Sequence, residues 1–279
     1  MPATLDSIMA ATRKRVARAK AEADLRQLER QAEEHTPRGF EKQLRRAAGS
    51  GIAVIAELKK ASPSRGTIRA EFDAVKLAAE LQTSGASALS VLTDEEFFQG
   101  SLENLRVASA HTSVPCLRKD FIVDEFQLVE SRASRADAVL LIVAALDDSE
   151  LRQLHEGACQ VGLDVLCEVH DEGELDRAVA AGCGLIGVNS RNLRTFEVDL
   201  QTPLRLASRL PAGVLAVAES GIHSADEVNE LRAAGYQAFL VGESLMRAPC
   251  PGDALRELLA RSNASEKKNL GSAREILRG

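Results

Sequence analysis

Aromatic side chains are scarce in this chain of 279 residues, which contains eight Phe, one Tyr and no Trp. Proteins that bind single-stranded nucleic acid stack successive bases on surface aromatic side chains, and this sequence offers no such series. The formal net charge of −6 also opposes bulk binding to a phosphate backbone. We therefore expect no nucleic-acid partner, and an anionic ligand would have to be bound by a local cluster of donors.

Long apolar runs are also missing. The longest unbroken run covers residues 138–146 and is nine residues long, whereas a membrane-spanning helix needs about 20. The N-terminal region contains acidic residues and lacks the apolar stretch of a signal peptide. The expectation is a soluble, cytoplasmic protein with no membrane partner.

The cysteines form no pattern that predicts a metal or disulfide site. They are widely spaced and include no CxxC pair: Cys116, Cys159, Cys167, Cys183 and Cys250. Cys116 and Cys167 fall in apolar runs, where Cys acts as a small hydrophobic residue. The five histidines show no metal-ligand spacing either, so we predict no metal. His170 follows the fifth predicted strand, and a solvated loop residue is the favoured interpretation over a catalytic one.

The pattern of the chain changes near residue 50. Residues 5–48 are strongly charged with a helical pattern, which predicts an N-terminal helical extension over residues 1–50. Beyond it, short apolar runs alternate with amphipathic stretches that end at or near a glycine. The runs predict eight strands, at 52–57, 88–92, 114–118, 138–143, 165–169, 185–189, 214–219 and 238–241. Helices are predicted between them, for example over 72–84, 149–161, 172–181 and 225–234.

Eight strand–helix units within about 210 residues are typical of one α/β fold, the (β/α)8 TIM barrel. We predict this barrel over residues 51–262, followed by a polar C-terminal tail over residues 263–279. For the tail, a disordered segment, a docked helix around residues 273–277 and an oligomer contact all stay open. A doubly wound open sheet is the competing architecture, but no GxGxxG motif follows the first predicted strand.

Polar and ionisable residues cluster where the predicted strands end, which is where TIM barrels build their active sites. Strand interiors are almost wholly apolar. Residues i and i+2 share a face of a strand, so Glu57 and Lys59 point the same way, while Cys116 and Cys167 fall on the opposite, helix-packed face. The side chains expected to converge at one mouth are those of Glu57, Lys59, Lys119, Glu168, Asn189 and Glu219.

Such a set of charges has two interpretations. Lysines and glutamates in a concave site shift one another's pKa values in opposite directions, which supplies both a proton donor and a proton acceptor. The alternative is a ring of structural salt bridges at the barrel rim. The contrast between apolar strand interiors and polar strand ends favours the acid–base site.

Small residues after the last two strands predict a phosphate site, because TIM barrels often bind phosphate with the loops after strands seven and eight. The loop over residues 62–66 is a further source of backbone donors. The residues concerned are Ser220 and Gly221 after the seventh strand, and Gly242, Glu243 and Ser244 after the eighth.

Residues 57–66, with the sequence ELKKASPSRG, resemble the E-x-K-x-x-S-P-S-x-G signature of the indole-3-glycerol-phosphate synthase family. Further matches follow in order: LRKDFIV at 117–123, Glu168, GVNSRNL at 187–193, AESGI at 218–222 and LVGESLM at 240–246. The resemblance runs from about residue 5 to residue 260. It implies a TIM-barrel carbon–carbon lyase (carboxy-lyase) of tryptophan biosynthesis.

The resemblance also implies the chemistry. A small phosphorylated substrate, 1-(2-carboxyphenylamino)-1-deoxyribulose 5-phosphate, would close to indole-3-glycerol phosphate with loss of CO₂ and water and without a cofactor. Lys119 would be a general acid on the ketone, and Glu168 an acid–base group in the dehydration. Lys59 would hold the substrate carboxylate, and which lysine serves which step stays open. The remaining members, Glu57, Asn189 and Glu219, would orient these groups.

Substrate-binding positions carry over in the same way. Those for polar contacts are Ser62, Arg191, Ser220, Gly221, Gly242 and Ser244. Those for apolar contacts are Leu140 and Leu193 as walls, with Phe98 and Phe121 against the anthranilate ring. Phe97 and Phe126 are expected to be packing residues. Glu243 departs from relatives with a small hydroxyl residue there, so its side chain is expected to point away while its backbone N–H contacts phosphate.

Two other functions stay open. One is a class I aldolase that forms a Schiff base between Lys119 and a sugar phosphate. The other is a catalytically silent barrel that acts as an interaction partner. We expect a monomer or a weak homo-oligomer.

Overall fold

The computed structural model describes residues 4–193 and 197–262, and its centre is a closed barrel of eight parallel strands. This confirms the (β/α)8 fold. The strands are β1 (Ala53–Leu58), β2 (Ala88–Leu92), β3 (Cys116–Lys119), β4 (Ala138–Ile142), β5 (Asp164–Val169), β6 (Leu185–Asn189), β7 (Leu215–Glu219) and β8 (Ala238–Val241). A short antiparallel hairpin lies in the loop after β1, and its two strands, Ala61–Ser62 and Gly66–Thr67, have two residues each.

Helices surround the barrel and precede it. Those before β1 are α1 (Leu5–Glu22), α2 (Leu25–Glu33) and α3 (Phe40–Ala48). Those after it are α4 (Ala74–Thr83), α5 (Glu95–Phe98), α6 (Leu102–Ala110), α7 (Phe126–Ala133), α8 (Asp148–Gln160), α9 (Glu172–Ala180), α10 (Gln201–Ala207), α11 (Ala225–Ala233) and α12 (Glu243–Arg247), with residues 251–262 also helical.

Side-chain caps set several helix starts. Helix α4 begins after Asp73, two residues later than predicted, because the Asp73 carboxylate accepts a hydrogen bond from the backbone N–H of Lys76 at 3.1 Å. The first turn of α9 is fixed in the same way by Asp171, which accepts from Glu174 N at 2.9 Å. These caps place the loops at the mouth of the barrel.

Each strand pairs with its sequence neighbour, and β8 pairs with β1 to close the sheet, with Ala53 opposite Ala238. Alternate residues then pack into two separate apolar layers. Ile55 and Leu166 lie inside the barrel, whereas Cys116 and Cys167 lie between sheet and helices. The predicted alternation of faces is confirmed.

The N-terminal helices contact both ends of the barrel. At the end where strands begin, Phe40 and Leu44 of α3 are fully buried in the inner layer, and Arg45 donates from Nη2 to the carbonyl of Gly213 at 2.9 Å. At the opposite end, Arg15 of α1 lies 3.1 Å from Asp120 Oδ1 and 3.3 Å from Asp94 Oδ2. Helix α3 therefore packs on the end of the barrel where the strands begin, called the base below, and α1 contacts the opposite end, called the rim.

The expectation of no disulfide is wrong for one pair, because a disulfide joins Cys167 to Cys183. Cys167 points outward from β5, and Cys183 lies just before the neighbouring strand β6, so their Cα atoms are 6.4 Å apart. Sequence spacing did not show this, since the contact depends on which strands are neighbours. Cys116 is free and fully buried, where burial raises the pKa of its thiol to about 11.

The predicted tail over residues 263–279 lies outside the described residues. No helix in the described ranges is both long and apolar enough to cross a membrane. Residues 4–193 and 197–262 also contain no group of three or more His, Cys, Asp or Glu side chains arranged to hold a metal ion.

Candidate active site

A cavity of about 1050 Å³, which includes the solvent at its open mouth, lies at the end of the barrel where the strands finish. All of the residues that the sequence analysis assigned to catalysis or substrate binding line it. Parallel strands bring their carboxyl ends to one edge of the sheet, so these side chains meet although they lie up to about 190 residues apart. Their position is established, and their individual roles stay predictions.

Lys119, at the end of β3, lies at the centre of the charged set. Its Nζ atom is 2.8 Å from Glu168 Oε2 on β5 and 3.2 Å from Glu219 Oε2 on β7. Burial alone would lower the pKa of Lys119, but the carboxylates of Glu168, Glu219 and Glu57 outweigh it and raise that pKa. Lys119 is therefore an ammonium ion with a proton to donate.

The two carboxyl groups that share Lys119 differ from each other. Burial raises the pKa of Glu219 to about 8, and the nearby charge of Glu168 adds to this effect against the attraction of Lys119. Burial acts on Glu168 as well, but Lys119 and His170 outweigh it and hold its pKa below the ordinary range. The pKa of Glu168 is therefore lowered and that of Glu219 raised. Opposite shifts in neighbouring carboxyls provide an acid and a base in one site.

A second ion pair joins β1 to the following loop. Lys59 Nζ lies 2.6 Å from Glu57 Oε1. Burial would raise the pKa of Glu57, but Lys59 and then Lys119 reverse the effect and lower it. Gly242 after β8 provides the room, since a Cβ at that position would lie 3.0 Å from Glu57 Cβ and would collide with its Oε1 atom.

A wall of aromatic and ionic groups flanks Lys119. The rings of Phe98 and Phe121 have their centroids 6.4 Å apart and both line the cavity. Phe121 N donates to Asp120 Oδ1 at 2.9 Å, and Asp120 Oδ2 lies 2.9 Å from Arg118 Nη2. Asp120 also receives Arg15 from helix α1. Asp120 and Arg15 were not predicted as site residues, although the position of Asp120 at a polar strand end, directly after Lys119, was a usable signal.

The predicted phosphate loops have an unusual backbone. Ser220 and Gly221 adopt positive φ angles of 63° and 74°, and a non-glycine residue in this region stores strain of the kind found at functional sites. Ser244 Oγ donates to the carbonyl of Ile222 at 3.1 Å, which ties the loop after β8 to the loop after β7. Ser220, Gly221 and Ser244 all line the cavity, and the loop after β8 lies beside β1, whose residue Ala56 pairs with Val241.

The expectation that Glu243 points away is wrong. Its side chain is only 14% exposed and lines the cavity. Its carboxylate lies 3.1 Å from Arg247 Nε, 3.4 Å from Arg65 Nε and 3.5 Å from Arg191 Nη2. Three arginines from separate segments converge there, and their charges attract the carboxylate inward. Arg191 also donates its backbone N–H to Asn189 Oδ1 at 3.0 Å.

The interpretation of His170 as a solvated residue is also wrong, because its side chain is 13% exposed and lies between two carboxylates. Glu174 Oε2 is 2.9 Å from Nδ1, and Glu168 Oε1 is 3.4 Å from Nε2. Burial would lower the pKa of the imidazole, but both carboxylates raise it to about 10. A carboxylate four residues further on, at a helix start, was the signal available in the sequence.

Residues 5–258 match the family model described as indole-3-glycerol phosphate synthase. The chain belongs to the indole-3-glycerol phosphate synthase family. This family consists of carboxy-lyases of tryptophan biosynthesis, and membership makes the protein an enzyme of that class.

Curated members of the indole-3-glycerol phosphate synthase family are similar over nearly their whole length. The protein of that name from Koribacter versatilis is 58% identical over 259 residues, which cover 93% of this chain and 100% of the relative. The one from Variovorax paradoxus is 50% identical over 264 residues, with 92% and 99% covered.

Solved structures of other proteins share the fold. A 3-hexulose-6-phosphate synthase has a TM-score of 0.61 at 15% identity, with 75% of this chain and 99% of that chain covered. A thiamine phosphate pyrophosphorylase from Pyrococcus furiosus has a TM-score of 0.58 at 18% identity, with 76% and 95% covered. At these identities the likeness concerns the barrel architecture alone.

Proposed function

We propose that the cavity binds 1-(2-carboxyphenylamino)-1-deoxyribulose 5-phosphate and converts it to indole-3-glycerol phosphate, CO₂ and water. The observation that carries this proposal is the contact of the Lys119 ammonium with both Glu168 and Glu219 inside a cavity that the loops after β7 and β8 also line. The reaction balances without an oxidant or reductant. It needs a folded substrate, a proton donor at the ketone and an acid–base group for the dehydration.

Orientation is the first task. The substrate has a carboxylate on its aromatic ring and a phosphate at the other end of a flexible chain. Lys59 binds the carboxylate, and the loops with Ser220, Gly221 and Ser244 bind the phosphate. Held at both ends, the chain folds so that the ring carbon that bears the carboxylate meets the ketone carbon. Such orientation is worth up to about 7–11 kcal/mol of a barrier.

Ring closure and decarboxylation follow. The ring carbon attacks the ketone carbon while Lys119 donates a proton to the ketone oxygen, which becomes a hydroxyl group. The C–C bond to the carboxylate then breaks, CO₂ leaves, and its electron pair restores the aromatic ring. Phe98 and Phe121 pack against that ring, and a favourable aromatic contact contributes about 1 kcal/mol beyond area burial.

Dehydration completes the indole. The new hydroxyl group leaves as water with help from the substrate nitrogen, whose lone pair takes up the positive charge. Glu168 receives the proton lost in forming the double bond of the new ring, and Lys119 or Lys59 supplies the proton for the departing water. Glu57, Asn189 and Glu219 orient the lysines and stabilise the cationic nitrogen.

The state of Lys119 bears on the aldolase alternative. A Schiff base requires a neutral amine as nucleophile, which enzymes obtain by lowering the pKa of a lysine. Here the surrounding carboxylates raise the pKa of Lys119 instead, so the site favours proton donation over covalent catalysis.

We further propose that the enzyme acts in the cytoplasm as a monomer or weak homo-oligomer. Leu25, Val179 and Val198 are the large hydrophobic side chains exposed within residues 4–193 and 197–262. They lie on separate elements, which gives little surface for a tight oligomer.

The function is tested by adding the carboxyphenylamino-deoxyribulose phosphate to purified protein and recording indole absorbance, with and without EDTA. We expect turnover that survives chelation. Lys119→Ala and Glu168→Gln should lower kcat by about 10²–10⁴, the contribution of a positioned acid or base. Near-normal turnover in either variant would refute its assigned role, and no turnover by the folded wild-type protein would refute the function.

A further inference from the structure

His170 lies at the end of β5, two residues after Glu168, and none of the steps above uses it. Its imidazole is largely buried between the carboxylates of Glu168 and Glu174. A histidine in such a position either packs as a structural group or acts on the carboxylate it faces. The two possibilities differ in what the contact does to Glu168.

Glu174 fixes the orientation of the histidine. The same oxygen, Glu174 Oε2, accepts from the backbone N–H of His170 at 2.8 Å and lies 2.9 Å from its Nδ1 atom. Glu174 is itself in the first turn of α9, which Asp171 caps. With Nδ1 engaged by Glu174, Nε2 is the ring nitrogen presented to Glu168.

Glu168 is held from two sides. Its Oε2 atom lies 2.8 Å from Lys119 Nζ, and its Oε1 atom lies 3.4 Å from His170 Nε2. The carboxylate is almost completely buried, so both cations act on it with little screening by solvent. The charged groups that face the imidazole are Glu168 from β5 and Glu174 from α9, and Lys119 and Glu219 act on it through Glu168.

We propose that His170 is a positioning residue for Glu168: its imidazolium, fixed by Glu174, holds Oε1 of Glu168 while Lys119 holds Oε2. This arrangement resembles the orientation of metal-binding and catalytic histidines by carboxylates, with the roles of the partners reversed. It keeps Glu168 ionised at the start of each turnover, as a proton acceptor must be. The inference rests on the proposed role of Glu168 in the dehydration.

Two histidine variants separate charge from shape. His170→Ala removes the ring, whereas His170→Gln keeps a hydrogen-bond donor without the charge. Loss of the cation raises the pKa of Glu168, so we expect the acidic limb of the kcat profile to move up by about 1 pH unit. We also expect kcat to fall about tenfold or more while KM stays within about twofold of the wild-type value. This decrease in kcat should be smaller than the decrease caused by removing the acid–base group Glu168 itself. Glu174→Gln should shift the limb in the same direction by a smaller amount.

His111→Ala is the matched control, because His111 is exposed and its ring contacts the Val107 carbonyl on its own helix. It should leave both kcat and the pH profile unchanged. If the His170 variants retain the wild-type profile, the proposal is overturned. A loss of kcat that accompanies a lower Tm but leaves the profile unmoved would also overturn it, since that result indicates a structural role.

If the His170 variants fail to fold, a measurement on the wild-type protein still tests the proposal. NMR titration of labelled histidines should show His170 protonated up to a pH of about 10, and losing its proton at lower pH in Glu168→Gln. An identical titration in both proteins would overturn the inference. If the folded wild-type protein and His111→Ala do not turn over the substrate, the proposed function fails, while this titration still tests the His170–Glu168 contact.

Discussion

Gly187 of β6 leaves the space that the carboxyl group of Glu219 on β7 occupies. A Cβ atom built on Gly187 would collide with Glu219 Oε1 and would lie 3.1 Å from its Cδ atom. The two residues are on neighbouring strands, with Gly187 paired to Val217. The absence of a side chain on one strand therefore determines where an ionisable group on the next strand can sit.

Gly187→Ala should displace Glu219 from Lys119. We expect kcat to fall about tenfold or more, because Glu219 would no longer lie within 3.2 Å of the ammonium. Overpacking should also cost about 1–3 kcal/mol of unfolding free energy. Steady-state kinetics and chemical denaturation measure the two effects. Gly184→Ala is the matched control, since its Cβ would meet Glu41 at an ordinary 3.8 Å, and equal losses in both variants would contradict the steric explanation.

Glu219 should make stability depend on pH. Its pKa is raised to about 8 in the folded state, so the native protein binds this proton more tightly than the unfolded chain does. The stabilisation is complete below the ordinary glutamate pKa of about 4.3 and is lost as pH rises through about 8. Relative to Glu219→Gln, the unfolding free energy of the wild type should fall by up to about 1.4 kcal/mol per pH unit in that window. Urea denaturation from pH 5 to pH 9 measures it, and a constant difference would exclude the raised pKa.

Glu243 should weaken phosphate binding, because its carboxylate occupies the arginine cluster and repels a second anion. In Glu243→Gln we expect KM for the substrate and the inhibition constant of inorganic phosphate to fall together, by about two- to tenfold. The difference in both constants between Glu243→Gln and the wild type should become smaller as salt is added. Glu22→Gln, on the exposed face of α1, is the control. A higher KM in Glu243→Gln would instead mean that the carboxylate serves to hold the arginines in place.

Arg15 should contribute to stability from outside the barrel. Arg15→Gln removes the cation from Asp94 and Asp120, whose side chains are buried, and we expect a loss of about 1–2 kcal/mol of unfolding free energy. KM should also rise, since Asp120 positions Phe121. Arg18→Gln is the control on the same helix. The Arg18 side chain is 79% exposed and pairs with Glu22, so this variant should lose almost no unfolding free energy. Equal effects of the two variants would show that the contacts of Arg15 with Asp94 and Asp120 do not matter.

Much of the molecule was predictable from local patterns. Eight apolar runs at regular spacing define the barrel, and the period of two along a strand places Lys119, Glu168 and Glu219 on the inner face. Because all parallel strands end at one edge, convergence of these residues follows without knowledge of their contacts. The strand bounds in the structure differ from the predicted ones by at most two residues, as at β3.

The remaining features depend on distances that a sequence does not contain. The disulfide between Cys167 and Cys183 requires knowing that β5 and β6 are neighbours. The contact of Arg15 with Asp120 spans 105 residues and joins a helix outside the barrel to its rim. Glu243 was expected to avoid the anion site, because two of the three arginines that attract it, Arg65 and Arg191, come from other loops. Each of these contacts is set by tertiary packing.

The position of α3 at the base of the barrel has a consequence for synthesis. Translation produces α3 before any strand of the barrel, yet Glu41 N donates to Asp164, 123 residues later, and Arg45 contacts Gly213, 168 residues later. Helix α3 therefore leaves the ribosome before the residues that it contacts at the base of the barrel have been synthesised. Phe40 and Leu44 lack their native partners during that interval, so a segment made early is fixed late, and its apolar side chains are open to aggregation until then.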